Sequence, residues 1–227
     1  MQLRSTRQIP PVTPIVAVKQ HFLTASPLLA LLVTFALGAG GAEAEPPPEH
    51  LGVQLRAAVG PAYLGASQSL GGEQRDSVTG FGAGFNVALG AMVSERLALN
   101  MDLVLLRSAD AEHGVLRDTT FSALHLGGGI TYWLMPANVH LAASVGLARS
   151  SVEGNPVRFG VELPTGDASD LGAGVHLAAG KQWWLSRRVG LGATLSLLGS
   201  IANNPVGTRD SPRLLFGATL AFSASLH

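Results

Sequence analysis

Between Leu171 and Gly199 the chain alternates with a period of two. Leu171, Ala173, Val175, Leu177 and Ala179 share one parity, and Gly172, Gly174, His176, Ala178 and Gly180 share the other. After Trp183, Trp184 and the basic turn Ser186-Arg187-Arg188, the alternation resumes. Val189, Leu191, Ala193, Leu195 and Leu197 then oppose Gly190, Gly192, Thr194 and Ser196. Successive side chains of a strand point to opposite faces, so this stretch reads as a β-hairpin. A soluble sandwich sets bulky residues against charged ones. Here they oppose glycine, serine and threonine, the pattern of strands with lipid outside and a crowded interior.

The same alternation predicts strands over His50–Tyr63, Thr79–Met92, Leu97–Leu106, Thr119–Leu134, Val139–Ala148 and Arg213–His227, besides the two arms of the hairpin. Long polar connections begin at Gly65, Arg107, Arg149 and Ile201. Short ones centre on Ser94, Pro136 and Arg187. Long and short connections alternate in outer-membrane barrels, and only a closed barrel pairs every backbone group in lipid. The expected fold is therefore all-β: an eight-stranded antiparallel transmembrane β-barrel with long extracellular loops and short periplasmic turns. An even strand number puts both ends of the barrel on the periplasmic side.

Upstream, Arg4, Arg7 and Lys19 precede the apolar run 27–42 and the small residues around Ala42 and Ala44. This is the layout of a secretory signal peptide over residues 1–44, with cleavage expected after Ala44. Residues 45–49, EPPPE, read as a proline-rich periplasmic linker, because proline cannot join a strand ladder. Residues 50–227 form the barrel. The expected location is the outer membrane of a Gram-negative bacterium. Acidic and basic residues are equal at 15 each, which gives no electrostatic footprint for nucleic acid. Absence of cysteine excludes disulfides and thiolate metal sites.

Tyr132, Trp133, Trp183 and Trp184 lie at one end of their strands, and Tyr63, Phe81, Phe121 and Phe216 at the other, as two aromatic girdles would. Lys181 has outward parity near the turn, so its stem can follow lipid while its ammonium reaches the interface. The whole architecture resembles small outer-membrane barrels of the OmpA/OmpX-like class, and the segment Gly180-Lys181-Gln182-Trp183-Trp184, followed by Gly190-Leu191-Gly192, resembles the penultimate hairpin of such barrels. The resemblance implies outer-membrane lipid and lipopolysaccharide as surroundings, a possible extracellular ligand at the loops, and insertion by the barrel-assembly machinery. That machinery reads a terminal aromatic. This chain instead ends Phe222-Ser223-Ala224-Ser225-Leu226-His227.

Inward parity collects the polar residues Gln54, Arg56, Asn86, Asn100, Asp102, His125, His140 and His176. Arg56 and Asp102 are expected to form a salt bridge across the lumen, since an unpaired charge there is costly. His125 and His176 fall at similar heights on strands separated by one other, so their backbones should lie about 10 Å apart. They read as hydrogen-bonding groups, with His140 near the floor; no oxygen or sulfur cluster completes a metal site, and no cofactor is expected. The strand histidines have no His-x-Ser neighbour, and no nucleophile–base pair is visible, so no catalytic residue is assigned and an enzyme is not expected. The expected role is structural or surface-interacting through the loops. The alternatives are a narrow porin-like pore and, more remotely, an enzyme that modifies lipid A.

Overall fold

A computed structural model describes residues 52–69, 75–113, 116–153, 157–158, 161–162, 168–186, 188–203 and 213–226. The expected signal peptide, the proline linker, Arg187 and the terminal His227 lie outside the described residues. The strands are β1 (Val53–Ser69), β2 (Arg75–Ser94), β3 (Leu97–His113), β4 (Leu116–Leu134), β5 (Val139–Glu153), the short β6 (Val157–Arg158) and β7 (Val161–Glu162), β8 (Ala168–Trp184), β9 (Val189–Asn203) and β10 (Arg213–Leu226). β6 and β7 pair only with each other, inside the longest connection. The other eight close in the order β1-β10-β9-β8-β5-β4-β3-β2, every neighbour antiparallel. The predicted eight-stranded barrel is the observed fold.

The strands are longer than the apolar alternation suggests. β3 runs to His113 and β2 starts at Arg75, so most of the segments expected as loops at Gly65–Val78 and Arg107–Asp118 are paired strand. The reason lies in the outer face. Apolar side chains begin at once beside the short turns, at Val53, Leu99, Leu134, Leu141 and Val189, and are at least about one-third exposed. Beyond Arg107 and Arg149 the exposed residues change to Ala109, Asp110 and Glu153. About ten tilted residues cross a hydrocarbon core, so strands of 14–20 residues project past it on the long-connection side. There the pairing of β3 and β5 with β4 continues without an apolar outer face, which is why hydropathy alone cannot mark the strand end.

The outer belt has the size of a membrane contact. Phe222 is 81% exposed, Val145 65% and Leu147 62%, and comparable residues continue around all eight strands. Soluble monomers seldom show apolar patches beyond a few hundred Å². The inner face holds the core, in two tiers. Toward the long connections Leu64, Leu106, Phe121, Leu198 and Leu215 pack into one buried apolar cluster with Val78 and Val104. Toward the short turns the buried residues are polar or charged side chains such as Arg56, Asp102 and His176, set among small alanines, with Trp133 and Val139 at the very end. Phe121, expected in a girdle, belongs to the apolar tier and is fully buried. Tyr63 and Phe81 do lie outside, with ring centroids 5.0 Å apart.

Glycine at inward positions lets a crowded interior form, since a Cβ at Gly60, Gly129 or Gly146 would run into the backbone of the neighbouring strand. The turn at 135–138 is equally compact, with Asn138 in the left-handed region at φ 54°, which asparagine tolerates. Its carbonyl accepts a hydrogen bond from the Gln182 backbone N–H at 2.9 Å.

Candidate functional site

The polar tier of the lumen is the densest collection of chemistry-bearing side chains among the described residues. β1 supplies Gln54 and Arg56, β3 supplies Asn100 and Asp102, and β4 supplies His125 and Thr131. β5 supplies His140 and Ser144, and β8 supplies His176 and Gln182. All are inward and buried. Alternation delivers them there. Each has bulky apolar neighbours in sequence that face outward, such as Leu55 beside Arg56 and Leu177 beside His176.

The expected salt bridge is corrected. Arg56 and Asp102 are both inward and 0% exposed, but they make no direct ion pair. The partner of Asp102 is His176, whose Nδ1 lies 3.5 Å from Oδ2. Arg56 acts on Asp102 only as an unlike charge at longer range, and its guanidinium nitrogens have no hydrogen-bond partner among the described residues. Which inward residues meet across a barrel depends on strand stagger. The register puts Asp102 opposite Gly127, and Ser144 opposite His176, so β3 and β8 side chains converge over glycine.

His125 and His176 come together as their parity implies, with ring centroids 6.2 Å apart. His125 Nε2 also lies 3.2 Å from Ser144 Oγ. This corrects the expectation that no nucleophile–base pair exists: a serine and a histidine are within hydrogen-bond reach. Sequence spacing could not reveal it, because the contact joins β4 to β5 across the sheet. Its chemistry is restricted by two features. Asp102, the carboxylate beside the pair, lies 3.5 Å from the other histidine, so the base lacks an orienting acid of its own. Ser144 is 2% exposed and His125 0%, between the apolar tier and the floor. Among the described residues no group of three His, Asp or Glu side chains is placed to hold a metal ion.

The rest of the network is made of neutral hydrogen bonds. Thr131 Oγ1 donates to Asn100 Oδ1 at 3.0 Å, and Ser225 Oγ donates to Gln182 Oε1 at 2.6 Å. Asn86, higher in the lumen, donates from Nδ2 to the Leu103 carbonyl at 3.3 Å. Near it lies a small cavity lined by Ala58, Asn86, Val104, Thr194 and Thr219, with room for about one water.

The aromatic end is also corrected. Tyr132 and Trp183 are outward and exposed, as a girdle requires. Trp133 is inward and fully buried, and Trp184 shares its side. Trp133 packs at a tilt against the His140 ring, 5.2 Å between centroids, and the Trp184 ring, 6.3 Å away, so these two tryptophans and His140 close the lumen at the short-turn end. The signal was present in the sequence. Adjacent residues of a strand cannot face the same way, so each pair, Tyr132-Trp133 and Trp183-Trp184, must split between membrane and lumen. Lys181 is outward and half-buried, cross-strand from Val139 and Ala193.

The chain matches no known protein family and no curated protein. Solved structures do resemble it. Neisserial surface protein A is 18% identical over 77% of this chain and 96% of its own length, with a TM-score of 0.47. The outer membrane protein OprG from Pseudomonas aeruginosa is 11% identical over 81% and 100%, with a TM-score of 0.43. Ail, the attachment invasion locus protein of Yersinia pestis, is 12% identical over 76% and 99%, with a TM-score of 0.40. The likeness is one of fold.

Proposed function

We propose that this chain is an outer-membrane barrel with a structural or surface-interaction role, carried by the loops at its long-connection end, which face the cell exterior. The short turns and the Trp133–His140–Trp184 floor then face the periplasm. The belt of exposed apolar side chains around all eight strands supports the membrane placement. The observation that carries the functional reading is the filled lumen. Leu64, Leu106, Phe121, Leu198 and Leu215 occupy the exterior half, and a buried polar network and two tryptophans occupy the periplasmic half. An eight-stranded barrel packed this way has no continuous water path, so its activity belongs at its ends.

Two measurements test this. Purified protein in planar bilayers is expected to give no steady open steps. Ohmic steps that persist with pure protein would favour the narrow pore instead. Replacing residues 154–167 by a short turn is expected to leave the barrel folded and remove whatever binding to cells or surface ligands the intact protein shows. Retained binding in that variant would move the role elsewhere. The buried Ser144–His125 contact favours, as a second reading, an acyl-transfer enzyme of the envelope. Release of acyl chains from lipid A by pure protein, abolished by Ser144→Ala, would establish it.

A further inference from the structure

One part of the outer face departs from the apolar belt. Arg107 on β3 and Arg149 on β5 both point outward and are exposed. β4 runs between them, and its outward Ser122 lies directly opposite Arg107 on one side and Ser151 on the other. Ser122 Oγ and Ser151 Oγ are 2.7 Å apart. Arg149 stands two residues nearer the membrane than Ser151 on the same strand face, opposite Leu124. Two arginines therefore flank a hydroxyl pair, their backbones separated by two strand spacings, about 10 Å. A backbone separation of that size is within the reach of two arginine stems toward one anion between them.

Height decides what the anion is. Arg107 and Arg149 each lie about ten residues along from the short-turn ends of their strands at Leu97 and Val139. At about 3.3 Å per residue and a tilt near 40°, that is roughly 25 Å, the thickness of the apolar band of an outer-membrane barrel. Below the arginines the outward side chains of β3, β4 and β5 are Leu103, Leu105, Leu124, Leu126 and Leu147. The outward carboxylates, Asp110 and Glu153, lie beyond them toward water, and neither arginine is ion-paired with a carboxylate among the described residues. Among the described residues elsewhere on the same rim stand Tyr63, Phe81 and Phe216.

We infer that this sector, Arg107, Ser122, Arg149 and Ser151, is a binding site for the phosphate group of an outer-leaflet glycolipid whose acyl chains lie along the leucines beneath. Arginine presents planar paired donors that match phosphate oxygens, and the serine hydroxyls supply further donors. A phosphate at the hydrocarbon edge also relieves two like charges of holding their place beside lipid unpaired. The site rests on the membrane placement proposed above, and is independent of what the loops bind.

The test uses the full chain, wild type and R107Q/R149Q, reconstituted in vesicles, with bisphosphorylated lipid A, its dephosphorylated counterpart and inorganic phosphate as probes. Both positions are on the exterior, so the variant should keep the folded gel mobility of the parent. Wild type is expected to bind bisphosphorylated lipid A about tenfold more tightly than the variant does, the loss that follows from two charge-assisted contacts partly replaced by solvent. The dephosphorylated lipid should not distinguish the two proteins. Equal binding by both proteins, or equal binding of both lipids, would overturn the site. Competition by inorganic phosphate at concentrations matching the lipid would make it a free-anion site and overturn the lipid assignment. Failure of wild type to insert at all would strike the membrane placement, whereas insertion without phosphate preference strikes this site alone.

Discussion

Asp102→Asn should be among the most damaging single substitutions in this barrel, lowering its stability by about 3–5 kcal/mol. Asp102 is the carboxylate that faces both His176, at 3.5 Å, and the fully buried Arg56. Removing its charge leaves the Arg56 guanidinium without the opposite charge that offsets it at longer range, in an interior where its three nitrogens already lack hydrogen-bond partners among the described residues. A charge left uncompensated in low dielectric costs more than the pair contributed. Urea unfolding in vesicles, followed by tryptophan fluorescence, measures the loss. The pairwise account makes a second demand. In Arg56→Met combined with Asp102→Asn, the stranded charge is gone, so the double variant should be more stable than the sum of the two single losses implies. Strict additivity would mean the two residues do not sense each other.

Gly129→Ala and Gly128→Ala should give opposite results although the residues are neighbours. A methyl group on Gly129 would run into the backbone carbonyl of Ala143 and approach the Ser144 Cα at 2.7 Å. These are atoms of the neighbouring strand, which cannot move without breaking pairing, so the substitution should cost about 1–3 kcal/mol as overpacking. A methyl group on Gly128 meets nothing within 4 Å, because that position opens outward. It should be silent or slightly stabilising. Heat-modified gel mobility and urea midpoints separate the cases. A silent Gly129→Ala would mean that the lumen is looser than its buried side chains imply.

These predictions also mark what could be read in the residues and what could not. Period two located all eight barrel strands, because each face meets one environment over its whole membrane height. It failed at strand ends: past Arg107 the outer face of β3 meets water at Ala109 and Asp110 while Ser108 and Ala111 stay buried inside, so pairing continues without an apolar outer face to mark it. The lumen occupants Arg56, Asp102, His125, His140 and His176 were legible by parity alone. Their partners were not, since Asp102 finds His176 rather than Arg56 through the stagger between β3 and β8. The same holds for the Ser144 contact with His125. Trp133 and Trp184 were legible in principle. Height along the strand suggested a girdle, but parity, the stronger constraint, sends one of each adjacent aromatic pair inward. The apolar upper tier was overlooked for a related reason. Leu64, Leu106 and Leu198 differ from lipid-facing leucines only in parity, and composition cannot tell a lumen leucine from a membrane one.

The central claim is that lipid lies outside the eight strands and a packed interior lies within. The chain contains no cysteine, so single cysteines carrying nitroxide labels can be placed along β4 from Phe121 to Tyr132 and their collision rates with oxygen and a water-soluble nickel complex measured in vesicles. The account predicts oxygen collisions that alternate with a period of two, high at Leu124, Leu126, Gly128 and Ile130 and low at Ala123, His125, Gly127 and Gly129, with the nickel complex reaching few of them. High nickel accessibility at the outward positions, or no alternation, would contradict it.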